Sequence, residues 1–202
     1  MTRTRYQAGI DEPSSSTASG ILQAAIEEFD ECGFAEASVG QIANRAGTSK
    51  SLVTYYFPTK SSLATSILAL AHPNGVFMGR EREASDPLDA ILQAAEHIAT
   101  CVAHHQIARV AIKLHHRRDI RQQGIPARYS GWLARTADYL EEAKRNGQVP
   151  VSTDVAVHSR LLVAGIAGLI DMATTTGDYL SLVDDSILLT RDRLTLIRGA
   201  KE

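Results

Sequence analysis

Three hydroxyl residues, Ser51, Thr54 and Tyr55, stand at the spacing of one helical face. At about 100° per residue they cluster together, with Val53 and Phe57 opposite, Tyr56 at the edge and Leu52 on the flank. Hydroxyls donate and accept at base edges and phosphates, and a leucine can meet a thymine methyl. Lys50 and Lys60 bracket the segment and suit backbone phosphates. A helix starting at Lys60 would add unpaired N–H groups for a phosphate oxygen. The surroundings agree. Between Ala37 and Arg80 there is no Asp or Glu; seven of the 23 carboxylates precede this stretch and sixteen follow it. It keeps four cations: Arg45, Lys50, Lys60 and Arg80. Phosphate repels carboxylate, so an acid-free stretch in a chain of net charge −2 points to a local nucleic-acid face rather than a polycation. The competing reading is a helical hairpin inside a larger domain. Lys50, Thr54 and Tyr55 are poor choices for burial, which argues against it.

These residues need elements to hold them. Ser38 with Gln41 forms a capping box for a helix whose apolar face is Val39, Ile42, Ala43 and Ala46. Gly47 ends it and permits a left-handed turn, and Ser49 caps the next helix. Pro58 stops that one, and Thr59 caps another over Lys60 to Ala71. Upstream, Leu22, Ala25, Ile26 and Phe29 make Ile21 to Cys32 amphipathic, placing Glu27, Glu28, Asp30 and Glu31 toward solvent. Further helices are expected over 91–104, 107–116, 132–145, 154–176 and 182–198, with a loop at Gln123-Gly124-Ile125-Pro126. No stretch alternates as a strand. The expectation is an all-α chain of about nine helices: a flexible arm over 1–19, a three-helix helix-turn-helix DNA-binding domain over 20–71, and a helical ligand-binding and dimerisation domain over 72–202.

Other features bound the function. Cys32 and Cys101 make no disulfide framework and suggest a reducing compartment. No signal peptide follows Arg3 and Arg5, and the longest strongly apolar run, Leu161 to Ile170, is too short to span a bilayer. The expectation is a cytoplasmic protein with no membrane partner. No nucleophile motif, phosphate loop or supported carboxylate pair appears, so no enzyme activity and no cofactor is expected. His97, Cys101 and His104 or His105 share a helical face at metal-ligand spacing. Polar edging of a core helix explains them better. A metal-responsive module using His97, Cys101 and His105 is the second hypothesis, and a small enzyme with His115 as base the third. His115-His116-Arg117-Arg118 reads as a solvated helix end that could instead bind an anion or line a pocket mouth. Asp171 is a candidate buried polar group. Ala164, Gly165, Ala167 and Gly168 permit close helix approach, as a two-fold four-helix seam or a monomer core would require.

The segments ILQAAIEEFDECGF and ASVGQIANRAGTSKSLVTYYFPTKSSL resemble the DNA-binding domain of tetracycline-repressor (TetR)-type regulators over roughly residues 20 to 70. The resemblance implies a homodimer with the third helix in the major groove of double-stranded operator DNA. It implies contacts from Ser38, Ser49, Lys50, Ser51, Thr54, Tyr55, Tyr56 and Lys60. The family usually has Leu-Tyr where this chain has Val53-Thr54, so one phosphate-contacting tyrosine becomes a shorter hydroxyl. A second, weaker resemblance, carried by GWLARTADYLEEAKRNGQV and AGIAGLIDMATTTGDY, is to the γ-butyrolactone signal receptors of that family. It implies a small-molecule effector and a ligand cavity lined by Trp132, which as the single Trp could equally be a core residue. Gly165 stands where some relatives carry a lactone-holding hydroxyl. The expected protein is a homodimeric repressor released from a pseudo-palindromic operator by a small apolar signal.

Overall fold

The computed structural model describes residues 16–79, 83–115, 117, 120 and 129–198. Every regular element among them is a helix: α1 (Ser16–Glu31), α2 (Gly33–Glu36), α3 (Val39–Arg45), α4 (Lys50–Tyr56), α5 (Lys60–Leu70), α6 (Pro87–His104), α7 (Gln106–His115), α8 (Ser130–Arg145), α9 (Val155–Thr176) and α10 (Leu182–Arg198). A short 3-10 turn, Pro73–Gly75, follows α5. The chain divides into two compact units. One holds α1–α5 and α7, the other the turn, α6 and α8–α10.

In the first unit α1 packs against α3, α4, α5 and α7. Ile21, Phe29, Ile42, Val53, Leu63, Ile67 and Leu68 are buried there. The helix ends follow the capping chemistry. The Ser38 and Thr59 side chains each close a capping box, and Ser49 Oγ accepts from Leu52 N. After α3 the chain turns at Gly47 with φ +62°, and Gly47 N and Thr48 N donate back to Asn44 O and Ala43 O. A side chain at that φ would be strained, which is why the turn takes glycine.

Several expectations change here. Ser16–Ser19, assigned to the flexible arm, are the first turn of α1; residues 1–15 lie outside the described residues. The four-residue α2 was not foreseen. Helix α7, assigned to the C-terminal domain, packs on α1 and α5 instead. Asp30 binds it there, receiving Arg109 Nη2 at 3.3 Å and Lys113 Nζ at 2.9 Å. The α1 acids do not all face solvent. Glu28 is 5% exposed and accepts from Arg45 Nε at 3.1 Å, while Glu31 takes both terminal nitrogens of Arg45. His115 is buried rather than solvated; His116 and Arg118 lie outside the described residues.

In the second unit α6, α8, α9 and α10 pack side by side around Leu88, Ile91, Leu140, Ala143, Leu162, Leu194 and Ile197. The Asp86 carboxylate caps α6 by accepting from Leu88 N at 2.8 Å and Asp89 N at 3.1 Å. Gln148, just past α8, also donates to Asp86. Helix α9 is long and apolar enough to cross a bilayer, yet it packs on three neighbours and buries Leu162, Val163, Ile166 and Ile170. Asp171 is exposed, not buried.

Candidate nucleic-acid interface and ligand cavity

The α4 wheel predicted from spacing is the one the fold builds. Val53 and Phe57 are buried, Leu52 and Tyr56 are half-buried, and Lys50, Ser51, Thr54 and Tyr55 are exposed. Tyr55 is the extreme case: its side chain is 78% exposed and meets the Tyr56 ring edge-on at 5.2 Å. A tyrosine this bare presents a rigid apolar ring and a hydroxyl to whatever docks on α4. Ser38 and Ser49 use their hydroxyl oxygens as cap acceptors, from Gln41 N and Leu52 N at 3.2 Å each, and so each keeps a proton to donate outward. Thr54 differs. Its hydroxyl is 3.1 Å from Lys50 O and 3.0 Å from Ser51 O, so its one proton is spent on its own helix. The shorter hydroxyl that replaces the usual tyrosine is therefore also the weaker donor.

The cations of the acid-free stretch separate into different roles. Lys50, the first residue of α4, is exposed. Arg45 ties α3 to α1 through Glu27, Glu28 and Glu31. Lys60 turns inward: Nζ donates to Phe34 O at 2.6 Å, Ala37 O at 2.7 Å and Ala35 O at 3.0 Å. It also lies 4.6 Å from the centre of the Phe34 ring. All three ammonium protons are engaged by α2 and its C-cap, so Lys60 has none left for a phosphate. Arg80 lies outside the described residues.

A separate cavity of about 30 Å³ opens in the second unit. Trp132, 5% exposed, forms one wall with Val76, Met78 and Ile98, and His97, Arg135 and Tyr139 supply polar groups. Trp132 reaches this place because α8 starts hard against the 3-10 turn. A Cβ on Gly131 would stand 2.3 Å from Gly75 O, so only glycine allows the approach. Arg135, Tyr139, Val76 and Met78 carried no signal in the sequence, since nothing local marks which α6 and α8 residues share a void. Gly165 is not brought to this cavity. It lies between α9 and α10, where an added Cβ would meet Leu189 Cδ1 at 2.8 Å. His97 lines the cavity with Cys101 Sγ 3.6 Å from its Nε2, but His105 does not join them. Among the described residues no group of three His, Cys, Asp or Glu side chains is placed to hold a metal ion.

Residues 21–67 match the family model for bacterial regulatory proteins, tetR family. The A-factor receptor protein of Streptomyces griseus is 27% identical over 149 residues, 74% of this chain and 52% of the receptor, so the match spans about half the receptor's length. A probable HTH-type transcriptional regulator of Pseudomonas putida, ArpR, is 26% identical over 86% of this chain and 88% of its own length. Among solved structures, SmeT, the repressor of the Stenotrophomonas maltophilia multidrug efflux pump SmeDEF, has a TM-score of 0.74 at 23% identity, covering 91% of each chain. A structure described as the molecular basis for control of antibiotic production by a bacterial hormone also has a TM-score of 0.74 at 23% identity, over 89% of this chain and 96% of that one. At these identities the two structures establish the fold.

Proposed function

We propose that this chain is a TetR-family transcriptional regulator rather than an enzyme, a cytoplasmic, homodimeric repressor released from its operator by a small apolar signal. The exposed face of α4 carries the reading: Ser51, Tyr55 and Lys50 project from a stretch free of carboxylates. Two such helices about 34–36 Å apart would enter successive major grooves of a pseudo-palindrome. Tyr55, Ser51, Leu52 and Tyr56 serve base edges and sugars, and Lys50, Ser38 and Ser49 serve phosphates. Few cations face outward, so affinity rests on two copies and hydroxyl contacts rather than on bulk charge.

The dimer is supported by an apolar surface on α9 and α10. Leu161, Met172, Leu188 and Leu196 are exposed, beside exposed Ala164 and Gly168. Burying such a surface against its own copy satisfies both protomers at once. The effector is proposed to enter beside Trp132. The name of the Streptomyces griseus relative supports a γ-butyrolactone-like compound. A cavity of about 30 Å³ holds roughly one water, so the effector must select a wider conformation. Swinging the population from 1:99 to 99:1 requires a preference of about 5.5 kcal/mol for that state.

The test is a mobility-shift titration on DNA from the chain's own upstream region at low salt, repeated with a γ-butyrolactone while the Trp132 emission is followed. A specific shift reversed by the lactone, with a change in emission, is the expected result. No specific complex on any upstream fragment refutes the repressor reading. A complex that the lactone does not release refutes the effector class alone.

A further inference from the structure

On the reading of the Trp132 cavity as the effector site, we propose that Met78 and Tyr129 set how sensitively that site responds. Their backbones are strained in the closed form. They load a two-part cover, the turn over 76–79 and the first turn of α8, which lifts as one piece. Among the described residues these are the non-glycine positions with positive φ, +47° at Met78 and +72° at Tyr129. Bulky residues avoid this conformation because Cβ crowds the neighbouring carbonyl. Both fall at the same cavity. Met78 lines it, and the Tyr129 ring lies 6.5 Å from the ring of Trp132, which walls it.

A relaxed alternative exists at each position. Met78 is the third residue of a turn closed by Gly79 N, which donates to Val76 O at 2.9 Å. A left-handed third residue calls for glycine. This chain has its glycine one position later, where a Cβ would stand 2.8 Å from Val76 Cβ, and keeps methionine against the cavity. Tyr129 is the N-cap of α8. The N-caps of α3, α4, α5, α6 and α9 are Ser, Thr or Asp with extended backbones, and each side chain accepts a bond from its helix. That is the ordinary chemistry of a helix start. Tyr129 is left-handed and its side chain makes no cap bond, although its carbonyl takes the first helical bond, from Leu133 N at 2.8 Å.

Packing over-determines both conformations, which is how strain persists beside a functional site. A Cβ on Gly131 would collide with Gly75 O and lie 3.2 Å from Val76 Cγ2. The first turn of α8 therefore presses on the start of the 76–79 turn, and neither part lifts without the other giving way. The closed void of about 30 Å³ holds roughly one water, so a ligand needs the cover displaced. Displacement frees both backbones, and the released strain supplies part of the preference that the ligand must otherwise provide. A left-handed backbone is disfavoured about five- to thirtyfold at a non-glycine residue. The extra freedom of glycine in the open form offsets some of this, leaving about fivefold between glycine and alanine.

Amide hydrogen exchange of the full chain, without any effector, tests the cover. Alanine removes either side chain and keeps the strain, whereas glycine removes both. Leu133 N and Gly79 N are the reporters, one bonded within each part of the cover. Leu133 should exchange about fivefold more slowly in Met78→Gly than in Met78→Ala, and Gly79 should do the same in Tyr129→Gly against Tyr129→Ala, with amides in the middle of α9 unchanged. In the lactone release assay each glycine variant should need about fivefold more lactone for half release than its alanine counterpart. A wild type that the lactone does not release refutes that effector class, and the exchange rates still decide the cover. Slowing confined to the substituted part, equal or faster exchange in the glycine variants, or the same slowing throughout α9 would overturn the proposal.

Discussion

Replacing Lys60 by Met separates two roles for this residue, a phosphate clamp and an internal tether. Methionine keeps most of the aliphatic stem and removes the ammonium. Three carbonyls then lose their donor. The bonds to Phe34 O and Ala37 O are partly buried, whereas the bond to Ala35 O is exposed and water can replace it. Losing two charge-assisted bonds costs about 1.5 kcal/mol each, and the contact with the Phe34 ring about 0.5 kcal/mol more. The total is about 3.5 kcal/mol, or a melting point lower by roughly 7–14 °C in a chain of this size. Circular dichroism melts read that shift. Operator affinity measured against salt, well below the transition, reads the other role. A phosphate contact contributes about 0.9 to the slope of log K against log salt. The tether predicts an unchanged slope for Lys60→Met, against the shallower slope that a phosphate clamp would give. An unchanged melting point with a slope reduced by about 0.9 per protomer would refute the tether and return Lys60 to the DNA.

Three further outcomes follow from the same geometry. Lys50→Ala should weaken all operator sequences alike and reduce the salt slope by about 0.9 per protomer, because Lys50 is exposed where α4 begins; an unchanged slope in equilibrium titrations would remove it from the interface. Asp86→Ala should cost about 1 kcal/mol near neutral pH through loss of the α6 cap. Burial pushes the Asp86 pKa up, but the Asp89 N–H, Gln148, the Leu88 N–H and Arg198 together hold it below the ordinary carboxylate value. A depressed folded-state pKa gives stability that is full above the unfolded pKa and lost as pH falls through the folded one. The gap between wild type and Asp86→Ala should therefore close in acid, and chemical-denaturation midpoints showing a constant gap would contradict the assignment. Finally, partial desolvation and the neighbouring Glu28 carboxylate raise the Cys32 thiol pKa, so iodoacetamide at mildly alkaline pH should label exposed Cys32 slowly and buried Cys101 only on unfolding. Mass spectrometry showing Cys32 labelled as fast as a free cysteine would refute the raised thiol pKa.

Local chemistry explains what was legible. The capping boxes at Ser38 and Thr59, the Ser49 cap and the Gly47 turn act within three or four residues, so α3, α4 and α5 were readable along the chain. The α4 face was readable for the same reason: a helical period acts on neighbours, and it set Ser51, Thr54 and Tyr55 against Val53 and Phe57. Helix α2 escaped because four residues carry no period.

The sequence by itself determined the longer helices, most of their stops and the acid-free surface of α4. Tertiary structure alone decided the fate of the charges and the voids. Lys60 meets carbonyls 23 to 26 positions upstream, Arg45 meets Glu28 17 positions upstream, and Lys113 meets Asp30 83 positions upstream. The same holds for Trp132 beside His97, for Gly165 against Leu189 and for Arg117 over Phe34. The physical reason is that helical periodicity dictates which way a side chain points from its own axis. Which distant carbonyl, carboxylate or void it meets depends on how the helices pack, and packing is set by apolar contacts summed over a whole unit.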